Sequence, residues 1–129
     1  MNTEDFVTFE QALALKKLGF CEEAIGKYVD CPNDPTLFNG MLYQSWNLEK
    51  DEILAPTLAQ AQKWLRKEEI YLIYEIGLGN EIHNAKFGYS AYNYKGYIVS
   101  NLSSGFIYDT PEEALSAGIN ECLKLLENE

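Results

Sequence analysis

The chain has 129 residues, of which 47% are hydrophobic and 13% aromatic, and this composition excludes an intrinsically disordered polypeptide. Twenty acidic residues against ten basic ones give a net charge of −10, and Arg66 is the only arginine. This balance disfavours direct binding to nucleic acid or to an anionic membrane surface, and the absence of a run of about 18 apolar residues disfavours a membrane span.

Three Thr residues, each followed three positions later by Glu or Gln, mark the predicted starts of three helices. In such a capping box the Thr hydroxyl accepts the backbone N–H three residues on, and the Glu or Gln reaches back to the N–H of the cap. The pairs are Thr8–Gln11, Thr57–Gln60 and Thr110–Glu113. Apolar residues at helical spacing follow each pair, so we predict helices over 8–19, 58–69 and from 110 to about 127.

Between the first two helices the sequence predicts one strand. Residues 21–29 are compatible with either a short helical turn or a strand. The prolines of 31–35 indicate a loop, and 41–47 is predicted to be a strand because it is rich in Leu, Tyr and Trp. The charged segment 48–54 is expected to be irregular.

The central part of the chain predicts antiparallel strands joined by turns. β-Branched and aromatic residues predict strands over 70–76 and 86–94. We predict a turn at 77–80, a hairpin at Lys95-Gly96 leading into 97–99, a turn at 103–105, and either a bulge or a short fourth strand at 106–108.

Together these elements predict an α+β fold in the order α-β-α-β-β-β-α, with an antiparallel sheet of three to five strands and about three helices mainly on one of its faces. We expect a single domain over 1–129, in which 1–54 supplies a helix, a loop and a strand and 57–127 forms a helix–strands–helix core. Gly118, inside the last helix, predicts a close approach of that helix to the sheet because glycine costs about 1 kcal/mol there relative to alanine.

The sequence predicts no metal and no cofactor. His83 is the only histidine, and the three cysteines, Cys21, Cys31 and Cys122, are widely spaced. Glu81 is close to His83, but no nucleophile motif accompanies them, so we predict no catalytic residues.

Residues 57–127 have the element order of a double-stranded RNA-binding domain. Such domains grip phosphates with a basic cluster at the start of the last helix, where this chain has Pro111, Glu112 and Glu113. Direct binding to nucleic acid is therefore not expected.

Tyrosines of the central strands are the residues that the sequence offers for recognition. Alternation places Tyr92 and Tyr94 on one face of their strand and Tyr89 on the other, and Tyr97 follows the predicted hairpin. Tyr92, Tyr94 and Tyr97 form the predicted partner-binding surface, with ordinary packing within the sheet as the alternative.

Three segments carry a resemblance to a known group of proteins: 7–12 (VTFEQA), 55–66 (APTLAQAQKWLR) and 112–119 (EEALSAGI). They resemble small uncharacterised proteins encoded by Bacteroides-type gut bacteria and by their prophages and mobile elements. The resemblance implies a bacterial or phage protein of the cytoplasm. It brings no catalytic residues, because no activity is assigned to the group.

The function predicted from the sequence is that of a non-catalytic, acidic domain that binds another protein. One alternative is a mimic of nucleic acid that occupies basic DNA-binding proteins, for which the net charge is the motive. Another is a small enzyme that uses Glu81, His83 or a nearby tyrosine.

Overall fold

The structure is a computed structural model that describes residues 2–31, 34–77, 85–93 and 100–128. In these residues three α-helices accompany two antiparallel three-stranded sheets, which confirms the predicted α+β class. Where the sequence predicts one strand between the first two helices, the structure has three. The chain divides into two compact units, Met1–Ala61 and Gln62–Glu129. The single domain over 1–129 stays a prediction, and each unit is described separately below.

The first unit combines one helix with the sheet of order β2-β1-β3. Its elements are α1 (Phe9–Lys17), β1 (Ala24–Cys31), β2 (Asp34–Tyr43) and β3 (Glu52–Leu54), with 3-10 helices at Thr3–Asp5 and Ser45–Asn47. Tyr28 of β1 lies opposite Leu37 of β2 and Ile53 of β3. The Tyr28 hydroxyl donates to the Val7 carbonyl at 2.7 Å, and its ring meets that of Phe9 edge-on at 5.6 Å. These contacts join the sheet to the start of α1.

Several sequence predictions for this unit are wrong. Residues 34–35 belong to β2 and not to a loop; β2 is an edge strand, where a proline can be accommodated because one side of the strand needs no ladder partner. The segment 52–54 is a strand and not irregular. The predicted strand 41–47 ends at Tyr43, and the uncertain segment 21–29 becomes a strand from Ala24 onward.

The second helix, α2 (Leu58–Lys67), begins in the first unit and ends in the second. Its predicted apolar face is confirmed, since four residues of it are at most 7% exposed: Leu58, Ala61, Trp64 and Leu65. The helix stops two residues before the predicted end. Glu69 there has φ +65°, a left-handed conformation that no helix continues through.

The second unit contains the meander β4-β5-β6 and the last helix. Its elements are β4 (Ile70–Gly77), β5 (Lys86–Asn93), β6 (Ser100–Ser103) and α3 (Pro111–Glu127). Phe87 and Tyr108 extend the ladder by an isolated bridge, with backbone hydrogen bonds of 2.8 and 2.9 Å. The predicted strands over 70–76 and 86–94 are confirmed within one residue. Two turn predictions are wrong at their first residue, because Gly77 belongs to β4 and Ser103 to β6. Residues 78–80 of the first turn, the hairpin at Lys95-Gly96 and the segment 97–99 lie outside the described residues.

Every predicted Thr cap accepts the backbone N–H three residues on, at 3.1 to 3.2 Å. At Thr8 the box is complete, because the Thr8 N–H also donates to the side-chain oxygen of Gln11 at 2.8 Å. The Gln60 amide nitrogen donates to the Glu23 carbonyl at 2.6 Å, which ties α2 to the start of β1. Glu113 accepts the backbone N–H of the residue before its cap at 3.3 Å. The helix starts are therefore determined locally.

Helix α3 lies against β4 and β5 at the close distance that Gly118 predicts. A Cβ on Gly118 would be 2.5 Å from Leu72 Cδ1 and 3.0 Å from Tyr89 Cγ. The predicted apolar stripe is buried: Leu115, Ile119, Cys122 and Leu126 are at most 9% exposed. None of the helices in the described ranges combines the length and hydrophobicity that crossing a membrane requires.

Candidate functional site

The sheet of the second unit has a face covered by α3 and an opposite face. Leu72 and Tyr89 lie beneath Gly118, so they mark the covered face. Because successive side chains of a strand point to opposite faces, Ile73 and Ser90 belong to the other one. We call it the open face and define it by these residues of β4 and β5: Tyr71, Ile73, Glu75, Gly88, Ser90 and Tyr92.

Two large apolar side chains of the open face are accessible to solvent. Tyr71 is 44% and Ile73 48% exposed, about as much as Tyr74 (45%) and Ile76 (54%) on the opposite face of the same strand. Tyr92 lies opposite Tyr71 in the antiparallel register and is half-buried. Aromatic and apolar side chains grouped on one accessible face are typical of surfaces that bind another protein.

Of the three tyrosines predicted to bind a partner, Tyr92 falls within the described residues and lies on the open face. Tyr94 and Tyr97 lie outside them. Tyr89 occupies the opposite face, as alternation predicts; it is 9% exposed, its ring is 6.4 Å from that of Tyr108, and burial raises its pKa. Tyr89 and Tyr108 therefore belong to packing within this unit, and Tyr92 keeps the position that the prediction requires.

Two glycines let the segment 104–106 lie against the open side of the sheet. A Cβ at Gly88 would be 2.2 Å from the Gly105 carbonyl oxygen, and one at Gly77 would be 2.3 Å from Cγ of Phe106. Gly105 itself has φ +77°, in the left-handed region that favours glycine. Side chains at these positions would displace the segment, so the glycines fix the place of the Phe106 ring.

A pocket of about 230 Å³ lies between this segment and the open face. It is lined by Glu75, Gly88, Tyr89, Ser90, Ser103, Gly105 and Phe106. The Ser104 hydroxyl accepts the Tyr89 N–H at 3.0 Å and donates to the Gly105 carbonyl at 2.7 Å. These two hydrogen bonds hold the wall of the pocket in place.

Glu75 gives the pocket a negative charge. Its carboxylate accepts a hydrogen bond from the Ser90 hydroxyl, and within the described ranges it forms no ion pair. Lys86, the basic residue that alternation places on the same face of β5, pairs with Asp109. The carboxylate is partly buried and keeps acceptor capacity beyond the hydrogen bond from Ser90.

A second pocket, of about 240 Å³, lies in the first unit. Phe20 and Ile53 form part of its apolar lining, and Glu52 is its least exposed acid. Glu52 forms an ion pair with Lys27 and accepts the Glu49 N–H at 2.9 Å, and these contacts hold its pKa below and that of Lys27 above the ordinary values. Lys16, Glu49 and Lys50 add further charged side chains to the lining of this pocket.

Accessible apolar residues also occur on β2 of the first unit. Phe38, Met41 and Leu42 are 48%, 66% and 57% exposed. Neighbouring residues of a strand point to opposite faces, so Met41 and Leu42 diverge. Gly40, with φ +96°, lies in the irregular part of the pairing and separates Phe38 from them.

The residues considered for chemistry are not brought together in the described part of the chain. Glu81 and His83 lie outside it. Cys122 is fully buried, and burial raises the pKa of its thiol to about 12, which suppresses the reactive thiolate. Cys21 is exposed. Across the described residues, no group of three or more His, Cys, Asp or Glu side chains is placed to hold a metal ion.

Comparison with models of protein families, with curated proteins and with solved structures gave no match. Sequence reasoning missed Glu75 and Phe106. The available signal was Gly88, because a glycine inside a strand pattern often marks the close approach of another backbone segment.

Proposed function

We propose that this chain is a non-catalytic, acidic domain that binds another protein through the open face. The observation that supports the proposal is the pair of accessible apolar side chains, Tyr71 and Ile73, beside Tyr92 on that face. The partner would bring an apolar strip with basic groups around it. The resemblance described above would make this an accessory protein of a bacterium, phage or mobile element, acting in the cytoplasm.

Burial of Ile73 in such an interface would contribute to the affinity for the partner. Complete burial of an isoleucine contributes roughly 1.5 to 3 kcal/mol, and Ile73 has about half of its surface left to bury. Loss of this half, about 0.75 to 1.5 kcal/mol, weakens a dissociation constant about four- to twelvefold. Tyr71 adds aromatic contact area, which is enriched where binding energy concentrates.

The charge of the chain determines which partners can approach. With twenty acidic and ten basic residues, the protein attracts basic surfaces over long range and repels acidic ones. Glu75 places one of these acids within the open face itself. A partner with arginine or lysine near its apolar strip therefore meets both requirements.

The test compares two isoleucines of β4 that differ in the face they occupy. Ile73 is 48% exposed on the open face, and Ile76, 54% exposed, points to the opposite side of the strand. Wild-type protein, Ile73→Ser and Ile76→Ser would each be immobilised to capture partners from a lysate of the source organism. We expect at least one protein to be captured by wild type and Ile76→Ser and to be depleted about tenfold on Ile73→Ser.

Equal capture by all three proteins would show that the open face does not carry the interaction. Loss of capture with Ile76→Ser, and not with Ile73→Ser, would assign binding to the other side of the sheet. Far-UV circular dichroism of each variant confirms that the fold is retained, which is expected because exposed substitutions usually change stability by about 0.5 kcal/mol or less.

A further inference from the structure

We propose that the pocket between the open face and the segment 104–106 receives an arginine side chain of the partner, a proposal that rests on the function proposed above. The guanidinium group would lie between the Glu75 carboxylate and the Phe106 ring. An arginine suits both of these groups, because its guanidinium is a cation that pairs with a carboxylate and a planar group that stacks on an aromatic ring.

The Glu75 carboxylate can accept further hydrogen bonds from a cation. Glu75 is partly buried, and its contact among the described residues is the hydrogen bond from Ser90. A carboxylate has about four lone-pair positions, so acceptor capacity is left for two parallel N–H donors. The nearby cation on the same face, Lys86, is committed to Asp109. An entering guanidinium therefore meets an acid that forms no competing ion pair with the residues the structure describes.

The Phe106 ring supplies an aromatic wall of the pocket. Phe106 is 49% exposed although it belongs to a segment held against the sheet, so one side of its ring is packed and the rest is accessible. The contact with Gly77 places the ring at the end of β4, two residues from Glu75 on the same face. Arginine is the cation most often found stacked on aromatic rings, whereas lysine offers no planar group.

The volume and the lining of the pocket suit the end of one long side chain. A pocket of about 230 Å³ has room for the head of one long side chain but not for a folded element. The carbonyl oxygen of Gly105 and the hydroxyl of Ser103 add acceptors around the rim, which suit the five N–H donors of a guanidinium. Tyr71 and Ile73 lie on the same face as Glu75. When an arginine of the partner occupies the pocket, the residues next to that arginine in the partner would therefore contact Tyr71 and Ile73.

The test uses two peptides that differ only in charge at the tip of one side chain. Acetyl-Gly-Arg-Gly-amide and the same peptide with citrulline would each be titrated into the full-length protein labelled with nitrogen-15. We expect saturable amide shifts at Gly88, Ser90 and Gly105 with the arginine peptide. Binding of the citrulline peptide should be about fivefold weaker or more, because the charge-assisted hydrogen bonds to Glu75 are lost.

Two variants of equal net charge assign the effect to the pocket. Glu75→Gln should weaken binding of the arginine peptide about fivefold, whereas Glu127→Gln, at an exposed position in the last turn of α3, should leave it unchanged. Phe106→Leu should weaken it about threefold through loss of the ring. Equal binding of both peptides, an affinity for the arginine peptide that Glu75→Gln leaves unchanged, or no shift at those three amides would overturn the proposal.

The outcomes separate the two proposals. If the peptide does not bind while Ile73→Ser still abolishes partner capture, the arginine pocket is wrong and the open face remains the interaction surface. If the peptide binds with the expected charge dependence while Ile73→Ser captures partners like wild type, the arginine pocket is supported and the proposed binding through Tyr71 and Ile73 is wrong.

Discussion

Replacing Gly118 with alanine should destabilise the protein, although alanine is the better helix former. The new Cβ would lie 2.5 Å from Leu72 Cδ1 and 3.0 Å from Tyr89 Cγ. Carbon atoms in contact lie about 3.5 to 4.0 Å apart, so the end of the Leu72 side chain must move by about 1 Å. Leu72 is 3% exposed, and the surrounding core leaves little space for that movement.

The expected magnitude is the difference between two opposing terms. Helix propensity favours Gly118→Ala by about 1 kcal/mol. Overpacking of a core costs about 1 to 3 kcal/mol, and a middle value of about 2 kcal/mol is appropriate because the nearest atom is the end of a side chain and the next belongs to an aromatic ring. The free energy of unfolding should therefore fall by about 1 kcal/mol.

Urea denaturation followed by far-UV circular dichroism measures this change. Ala117→Gly, at the half-buried neighbouring position, is the matched control for propensity and should cost about 1 kcal/mol. In a Leu72→Val background the obstructing methyl group is absent, so Gly118→Ala should be neutral or stabilising there, with a coupling of about 1 kcal/mol. If Gly118→Ala stabilises the wild-type protein by about 1 kcal/mol, the close packing of α3 on the sheet is refuted.

Three further predictions concern other parts of the chain. Glu69→Gly should raise the melting temperature, because a non-glycine residue at φ +65° costs about 1 kcal/mol; a lower value would contradict this. Iodoacetamide should modify Cys21 in the native protein and spare Cys122, whose thiol is buried with a pKa raised to about 12; peptide mass spectrometry before and after denaturation checks the difference, and equal rates would refute it. Glu52→Gln should reduce the dependence of the free energy of unfolding on pH in the acid range. The ion pair with Lys27 lowers the pKa of Glu52, so its contribution is present above the ordinary value of 4.5 and is lost as the pH falls through the folded-state pKa; parallel wild-type and variant profiles in urea titrations would count against the pair.

The helices were the most predictable part of the fold because their signals are local. Thr8 and Thr110 cap the helices that the sequence assigns to them. Each capping hydrogen bond joins residues only three positions apart. The strands of the first unit were less predictable. Ile53 pairs with Tyr28, 25 positions earlier, and a strand of three residues carries no periodic pattern of its own. Proline at position 35 is a loop signal that an edge strand overrides.

The candidate site was predictable only in part for a similar reason. The place of Tyr92 on its face of the sheet was predictable because alternation along the strand determines it. The pocket depends on the missing side chains of Gly77 and Gly88. It also depends on the return of a segment that lies 17 residues after Gly88 and 29 residues after Gly77 at the contacts they make. Such a return is visible only once the strands are paired, so neither Glu75 nor Phe106 could be distinguished from ordinary strand and turn residues.

Helix α2 determines how this protein can be dissected. The boundary between the two units falls after Ala61, so four helical residues belong to one unit and six to the other. Either piece alone is far shorter than the roughly 12 to 15 residues that an isolated helix needs in water. A truncated protein that starts at Gln62 would also lack its Thr cap. Expression of the C-terminal half by itself should therefore begin at or before Pro56, and limited proteolysis is not expected to release two intact halves by cutting at residue 61.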